Sequence, residues 1–230
     1  MNELIQLDSF LLVSQNDAKA AEKLKTASQA RILVLSDSHG DRKAIENVLL
    51  YFGNSVDCVA FCGDGAGDLL SVVENFTDEK KEFIPPVIAL VRGNNDSSSF
   101  LHDRQSIKIP SSLVFEACGH NAFLTHGHRY GVYSGIELLE AECETIPCEF
   151  AFFGHTHVPY IEKKAEKNNM VFLNPGSLSL PRAGSAKSFA MVTIFSGNKR
   201  AETAFFRIEK FQDKEYYKIY EPDIFNFWSW

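Results

Sequence analysis

A chain of 230 residues is within the size that one hydrophobic core serves efficiently, so a single α/β domain is expected. Its 45% hydrophobic and 23% charged residues exclude a disordered or fibrous chain, and a formal charge of −7 disfavours nucleic-acid binding, which needs clustered Lys and Arg. Five cysteines without a CxxC pair suggest neither a disulfide framework nor a zinc ribbon, and read as free thiols of a reducing cytoplasm.

At the N-terminus no Lys or Arg precedes Lys19, so the basic region of a secretory signal is missing, and Phe10 to Val13 is far shorter than the about 20 apolar residues that cross a bilayer. A cytoplasmic protein without a membrane partner is expected. Residues 1–30 are expected to form an N-terminal extension, helical in character, ahead of a main domain over 31–210.

From there one pattern recurs five times: a short apolar run that stops at a cluster of Asp, Asn, His and Gly. Ile32 to Leu35 precedes Ser36-Asp37-Ser38-His39, and Val56 to Phe61 precedes Gly63-Asp64. Val87 to Val91 precedes Gly93-Asn94-Asn95-Asp96, Ala122 to Leu124 precedes Thr125-His126-Gly127-His128, and Phe150 to Phe153 precedes Gly154-His155-Thr156-His157. Continuous runs rich in Val, Ile or Phe read as strands buried on both faces. Between the first two, Ala44, Ile45, Val48 and Leu49 form one helical stripe within Asp41 to Tyr51, which makes a βαβ unit; Leu69, Leu70, Val72 and Val73 mark a second helix over Gly67 to Phe76. Later, Val158 to Lys163, Met170 to Leu173, Phe189 to Ile194 and Ala204 to Ile208 read as strands of a second, mainly antiparallel sheet. A tail over 211–230 carries Phe211, Tyr216, Tyr217, Tyr220, Phe225, Phe227, Trp228 and Trp230, too much apolar surface to leave in water, so it is expected to pack on the domain or on a partner chain of a homo-oligomer.

In α/β sheets, ligand-binding groups gather outside the carboxyl ends of the strands, so the five polar clusters are expected to meet on one edge. Five of the chain's histidines lie in them, with Asp37, Asp64, Asn94 and Asp96. A single DxH or HxH pair is as often a capped turn with a hydrogen-bonded His, but the combination points to metal. Imidazole and oxygen donors without thiolate suit Mn, Fe, Zn, Co or Ni. The side chains outnumber what one tetrahedral ion needs, and two ions sharing a carboxylate would use them all. Two divalent ions, less the charges of Asp37, Asp64 and a bridging hydroxide, leave about one net positive charge, which attracts a small anion. Phosphoester hydrolysis by a metal-bound hydroxide fits.

Asp37-x-His39, Gly63-Asp64, Gly93-Asn94-x-Asp96, His126-Gly127-His128 and Gly154-His155-x-His157 resemble, in order, the five motifs of the calcineurin-like metallophosphoesterases, over about Arg31 to Phe195. Asn174-Pro175-Gly176-Ser177 followed by Leu178 to Arg182 is similar to the small prokaryotic phosphodiesterase branch, the YfcE-like proteins. The resemblance implies a four-layer αββα sandwich of two mixed β-sheets flanked by helices, with the metal site at strand ends. It implies that Asp37, His39, Asp64 and His157 hold a first ion and Asp64, Asn94, His126 and His155 a second, with Mn2+ foremost among the metals and Asp64 bridging. Asn95, Asp96 and His128 would stand beside the reacting atoms, and Asn94, His128 and Arg182 would meet a small phosphoester substrate. Where many relatives have a His after the metal-binding Asn, this chain has Asn95, which cannot be a general acid. Two alternatives share the fold: a protein-interaction module similar to the small subunit of retromer, and a nuclease, which would require a basic groove.

Overall fold

Alternation of apolar runs with polar turns governs the architecture. In the computed structural model, which describes residues 4–102, 105–165, 170–197, 201–211 and 214–222, the chain opens with strands β1 (Leu4–Gln6) and β2 (Leu12–Ser14) and helix α1 (Ala20–Thr26). A βαβαβ unit follows: β3 (Gln29–Leu35), α2 (Arg42–Phe52), β4 (Cys58–Phe61), α3 (Ala66–Glu74) and β5 (Val87–Leu90). Then come the hairpin β6 (Ser99–His102) and β7 (Gln105–Lys108), strands β8 (Ser112–Ala117) and β9 (His120–Thr125), helix α4 (Glu137–Thr145) and β10 (Phe150–Phe152). The rest is β11 (Pro159–Lys164), β12 (Met170–Pro175), β13 (Ser188–Phe195), β14 (Ala201–Phe211) and β15 (Lys214–Tyr220).

One mixed sheet has the order β1-β2-β5-β4-β3-β13-β14-β15 and the other β11-β12-β10-β9-β8. Side chains such as Val34, Ala60 and Ala89 from the first sheet pack against Phe115, Leu124 and Phe152 from the second. The outer face of the first sheet takes Ile45, Leu49 and Leu70 from α2 and α3, and that of the second takes Leu139 and Cys143 from α4. This is the four-layer αββα arrangement. Helix α2 starts at Asp41, whose side chain accepts the Ala44 amide at 3.1 Å, and buries the expected stripe of Ala44, Ile45, Val48 and Leu49.

Three expectations need correction. The extension over 1–30 is only partly helical: β2 pairs antiparallel with β5 and extends the main sheet, because Leu12 and Val13 are apolar enough to be fully buried there. Strands β13 and β14 do not belong to the second sheet. Strand β13 pairs antiparallel with β3, bringing Ala190 opposite Val34, and this lets Ala190, Val192 and Ile194 fill the core between the sheets. Nor does the domain stop at residue 210. Strand β15 continues the first sheet, with the Tyr217 ring against Phe52 and Phe189 at 5.4 and 5.6 Å between centroids. Phe225, Phe227, Trp228 and Trp230 lie outside the described residues.

Candidate metal centre

The loops that follow β3, β4 and β5 carry Asp37 and His39, Asp64, and Asn94 to Asp96, while those after β9 and β10 carry His126, His128, His155 and His157. The five clusters therefore meet across the seam between two sheets, not along the edge of one. Hydrogen bonds close the seam: the Gly154 amide donates to the His126 carbonyl at 3.1 Å, and the His155 amide to Asp37 Oδ2 at 3.1 Å.

Two groups of metal-competent donors form, Asp37 with His39 and His157, and Asp37 with Asp64 and His126, each within 4.8 Å. His39 Nε2 and His157 Nε2 are 3.0 Å apart, and Asp37 Oδ1 is 3.1 Å from His157 Nε2. Asp64 Oδ2, of the second group, lies 3.5 Å from His126 Nε2 in that group and 3.8 Å from His39 Nε2 of the first. His155 Nδ1 is 3.2 Å from His126 Nε2. Asp37 Oδ1 is fully buried and takes no aligned hydrogen bond. A buried carboxylate oxygen left this way, with several imidazole nitrogens gathered around it, fits a cation. The donor set suits a borderline divalent metal.

Backbone partners aim these donors. His126 Nδ1 meets the Cys62 carbonyl at 2.8 Å and His157 Nδ1 the Leu180 carbonyl at 2.6 Å, which leaves each Nε2 for the centre. Asp37 Oδ2 accepts the Ser36 hydroxyl at 2.6 Å, and the Asp37 carbonyl accepts Ser177 and Ser179 hydroxyls at 2.8 and 3.1 Å. Asp68, on the first turn of α3, accepts the Ser38 hydroxyl and the Gly40 amide, both at 2.8 Å and on either side of His39. Sequence reasoning passed over Ser36, Asp68 and Ser179; the Ser177 motif was visible, but not its bond to Asp37.

Asp37, His39, Asp64, His155 and His157 all have left-handed backbone, with φ between 44° and 71°. This conformation is uncommon outside glycine and tolerated best by Asn, Asp and His. It turns each side chain sharply off its strand toward the seam. Neighbouring glycines admit the close approach: a Cβ on Gly93 would lie 2.0 Å from Asp64 Oδ1, and one on Gly154 2.8 Å from Asp37 Oδ2.

Burial works against ionising the Asp37 carboxyl, but the imidazoles of His157 and His39 more than reverse it, lowering it to about 2. Burial acts likewise at Asp64, where His126 and Asn95 hold the carboxyl far below its usual range. Burial, then the neighbouring His126, pushes His155 down to about 4 and keeps it neutral, the form a metal ligand needs. The same two causes lower His128.

The remaining expected residues take varied places. Asn94 and Asn95 are exposed at the rim. Asn95 donates its amide to Asp64 Oδ1 at 2.9 Å and its side chain to Asp64 Oδ2 at 2.6 Å, so it clamps the carboxylate. Asp96 accepts the Gly65, Ala66 and Gly93 amides at 3.0, 3.1 and 2.9 Å, tying two of the ligand loops together and leaving the carboxylate little to offer a reacting atom. His128 stands 5.4 Å from His126 between ring centroids, with its Nδ1 buried and unpartnered. Arg182 is exposed at the mouth, beside Tyr133, whose hydroxyl donates to the His155 carbonyl at 2.9 Å.

A sequence profile of the calcineurin-like phosphoesterase superfamily domain matches residues 31–197. Phosphodiesterase YfcE of Escherichia coli (strain K12) is 31% identical over 173 residues, covering 70% of this chain and 86% of that protein. Among solved structures, a conserved protein of Streptococcus pneumoniae TIGR4 described as a predicted phosphoesterase aligns with a TM-score of 0.58 and 26% identity, over 84% of this chain and 100% of that one. Vacuolar Protein Sorting 29 from Cryptosporidium parvum aligns with a TM-score of 0.61 and 18% identity, over 84% of this chain and 98% of that one, a likeness of fold alone.

Proposed function

The chain belongs to the calcineurin-like phosphoesterase superfamily, and from that premise we propose that it hydrolyses small phosphodiesters with two divalent ions, Mn2+ foremost. The observation that carries this reading is the pair of donor groups that share Asp37, with Asp64 Oδ2 of the second group only 3.8 Å from His39 Nε2 of the first. Asp37, His39, Asp64 and His157 would hold one ion, and Asp64, Asn94, His126 and His155 the other. When bound, such ions stabilise charge on phosphoryl oxygens and lower the pKa of a water that attacks phosphorus.

The chain's own groups do the rest. Asp37 and Asp64 stay ionised, and their negative charges would offset part of the positive charge that two divalent ions bring. Asn95 fixes the Asp64 carboxylate through two donors, so it orients a ligand and has no proton to give a leaving group. The leaving oxygen then departs on its own acidity. General acid catalysis contributes about 10²- to 10⁴-fold, so its absence gives a steep dependence of rate on leaving-group pKa. Arg182, exposed at the mouth, can reach the non-bridging oxygens of the ester.

The test is to strip the protein of metal, add Mn2+, Fe2+, Zn2+, Co2+ or Ni2+ singly, and measure rates on aryl phosphodiesters of graded leaving-group acidity. Turnover that requires metal and rises steeply with acidity is expected. A flat, chemistry-limited series would move the acid role to His128. Two bound ions with no turnover on any phosphoester would instead favour an interaction module on this fold, the reading that the likeness to Vacuolar Protein Sorting 29 suggests.

A further inference from the structure

We propose that Tyr133 and Arg182 form an aromatic and guanidinium wall that binds a planar aromatic arm of the phosphodiester beside the metal centre; the inference rests on the hydrolase reading above. Both residues are anchored to the loop that carries two of the metal ligands. The Tyr133 hydroxyl donates to the His155 carbonyl at 2.9 Å, and its ring meets the His155 imidazole edge-on, 4.6 Å between centroids and 64° between planes. From the opposite side the Arg182 amide donates to the His157 carbonyl at 3.2 Å, and Arg182 Nη1 reaches the Tyr133 hydroxyl. The guanidinium carbon sits 5.6 Å from the Tyr133 ring centroid. The wall is thus preorganised by its bonds to the backbone of His155 and His157.

Its exposed side has the chemistry of an aryl subsite. Tyr133 is 39% exposed, with its hydroxyl engaged on the His155 carbonyl. Leu180, which precedes Arg182 on the same loop and caps His157 through its carbonyl, is 54% exposed and adds an apolar flank. Guanidinium donors not used on Tyr133 would be available to the phosphate of a diester whose flat ring lies against the wall. Stacking of one ring on an aromatic side chain is worth about 1–3 kcal/mol, or roughly 5- to 150-fold in affinity. An alkyl arm gains little of this.

The experiment compares two diesters with the same leaving group, phenyl p-nitrophenyl phosphate and methyl p-nitrophenyl phosphate, with rates corrected for their uncatalysed hydrolysis. Mn2+-loaded wild type is expected to favour the phenyl ester by about 10-fold in kcat/KM, through KM. Tyr133→Leu should bring the ratio near one by raising KM for the phenyl ester alone. Tyr133→Phe, which keeps the ring but releases the His155 carbonyl, should keep the ratio while slowing both esters. A wild-type ratio near one, or a Tyr133→Leu variant that slows both esters equally with its ratio intact, would overturn the proposal. Calorimetric binding of phenylphosphonate against methylphosphonate repeats the comparison without turnover. Equal affinities in wild type sink the wall on their own, whereas absence of hydrolysis with unequal affinities sinks only the hydrolase reading.

Discussion

Strands β3, β4 and β5 end in two very different surfaces. Their carboxyl ends lead to Asp37 and Asp64, carboxylates at 0% and 3% exposure, held on left-handed backbone among imidazoles. Their amino ends border a cavity of about 460 Å3 with Arg31, Asp57 and Glu82 in its lining. That cavity is polar and open enough for a small ligand. Yet its charges are exposed, its non-glycine residues all have ordinary backbone, and the Asp57 carboxylate accepts the Arg31 amide at 2.7 Å. Size does not identify the site. What identifies it is cost: buried charge and sparsely populated backbone persist only where the surroundings impose them.

The sharpest way to break this contrast is to neutralise one acid at each end. Asp64→Ala is expected to lose both metal and activity, each by more than the 10- to 100-fold that follows from removing an outer partner of a metal ligand. Elemental analysis showing two ions still bound would refute the proposal that Asp64 is shared by both ions. Metal removal comes next. Each ion at 100 times its Kd adds about 2.7 kcal/mol to stability, so two add about 5.4 kcal/mol, and at roughly 2–4 °C per kcal/mol for a domain of this size chelation should lower Tm by roughly 11–22 °C. Calorimetry with and without EDTA measures this shift, which should vanish in Asp64→Ala. Asp68→Asn sharpens the comparison further. It keeps the side chain's shape but weakens the grip on Ser38 and Gly40, so metal affinity should fall about 10- to 100-fold by competition with a chelating dye while the far-ultraviolet spectrum stays unchanged. The smallest effect is expected at the amino ends: Asp57→Asn should cost about 1 kcal/mol in urea unfolding and leave kcat/KM within about twofold.

The same contrast explains what could be read from the chain alone. The βαβαβ unit was legible because β4 and β5 are buried throughout, which makes them continuous apolar runs, and because α2 repeats its buried residues at helical spacing. The residues that the fold gathers at the candidate site were legible because each run stops abruptly at a polar cluster. Assignment of strands to sheets was not, since nothing local to Phe189 to Ile194 says that it pairs with β3 rather than β12. Strands β1 and β2 are too short, at three residues each, to show a period. The supporting roles of Asp68, Ser177, Ser179 and Tyr133 were hidden for another reason. A Ser or Tyr in a loop is ordinary; only the fold puts the Ser177 hydroxyl on the carbonyl of a residue 140 positions earlier. Asp96 shows the converse, a motif acid whose neighbours in space turn out to be three backbone amides.

That bond between Ser177 and the Asp37 carbonyl also sets an order of events during synthesis. A ribosome makes chain at about 5–20 residues per second, so the βαβαβ unit is available for pairing several seconds before the residues that secure its first ligand loop. Until Ser177 and Ser179 emerge, the Asp37 carbonyl lacks both hydroxyls, and Leu180, which aims His157, has not yet been made. A nascent chain halted before residue 170 would lack β12 and β13 as well, leaving β3 with an open edge where β13 belongs. The bonds that secure the Asp37 and His157 loops therefore form late, and the nascent protein depends on that open edge finding β13 before it finds another chain.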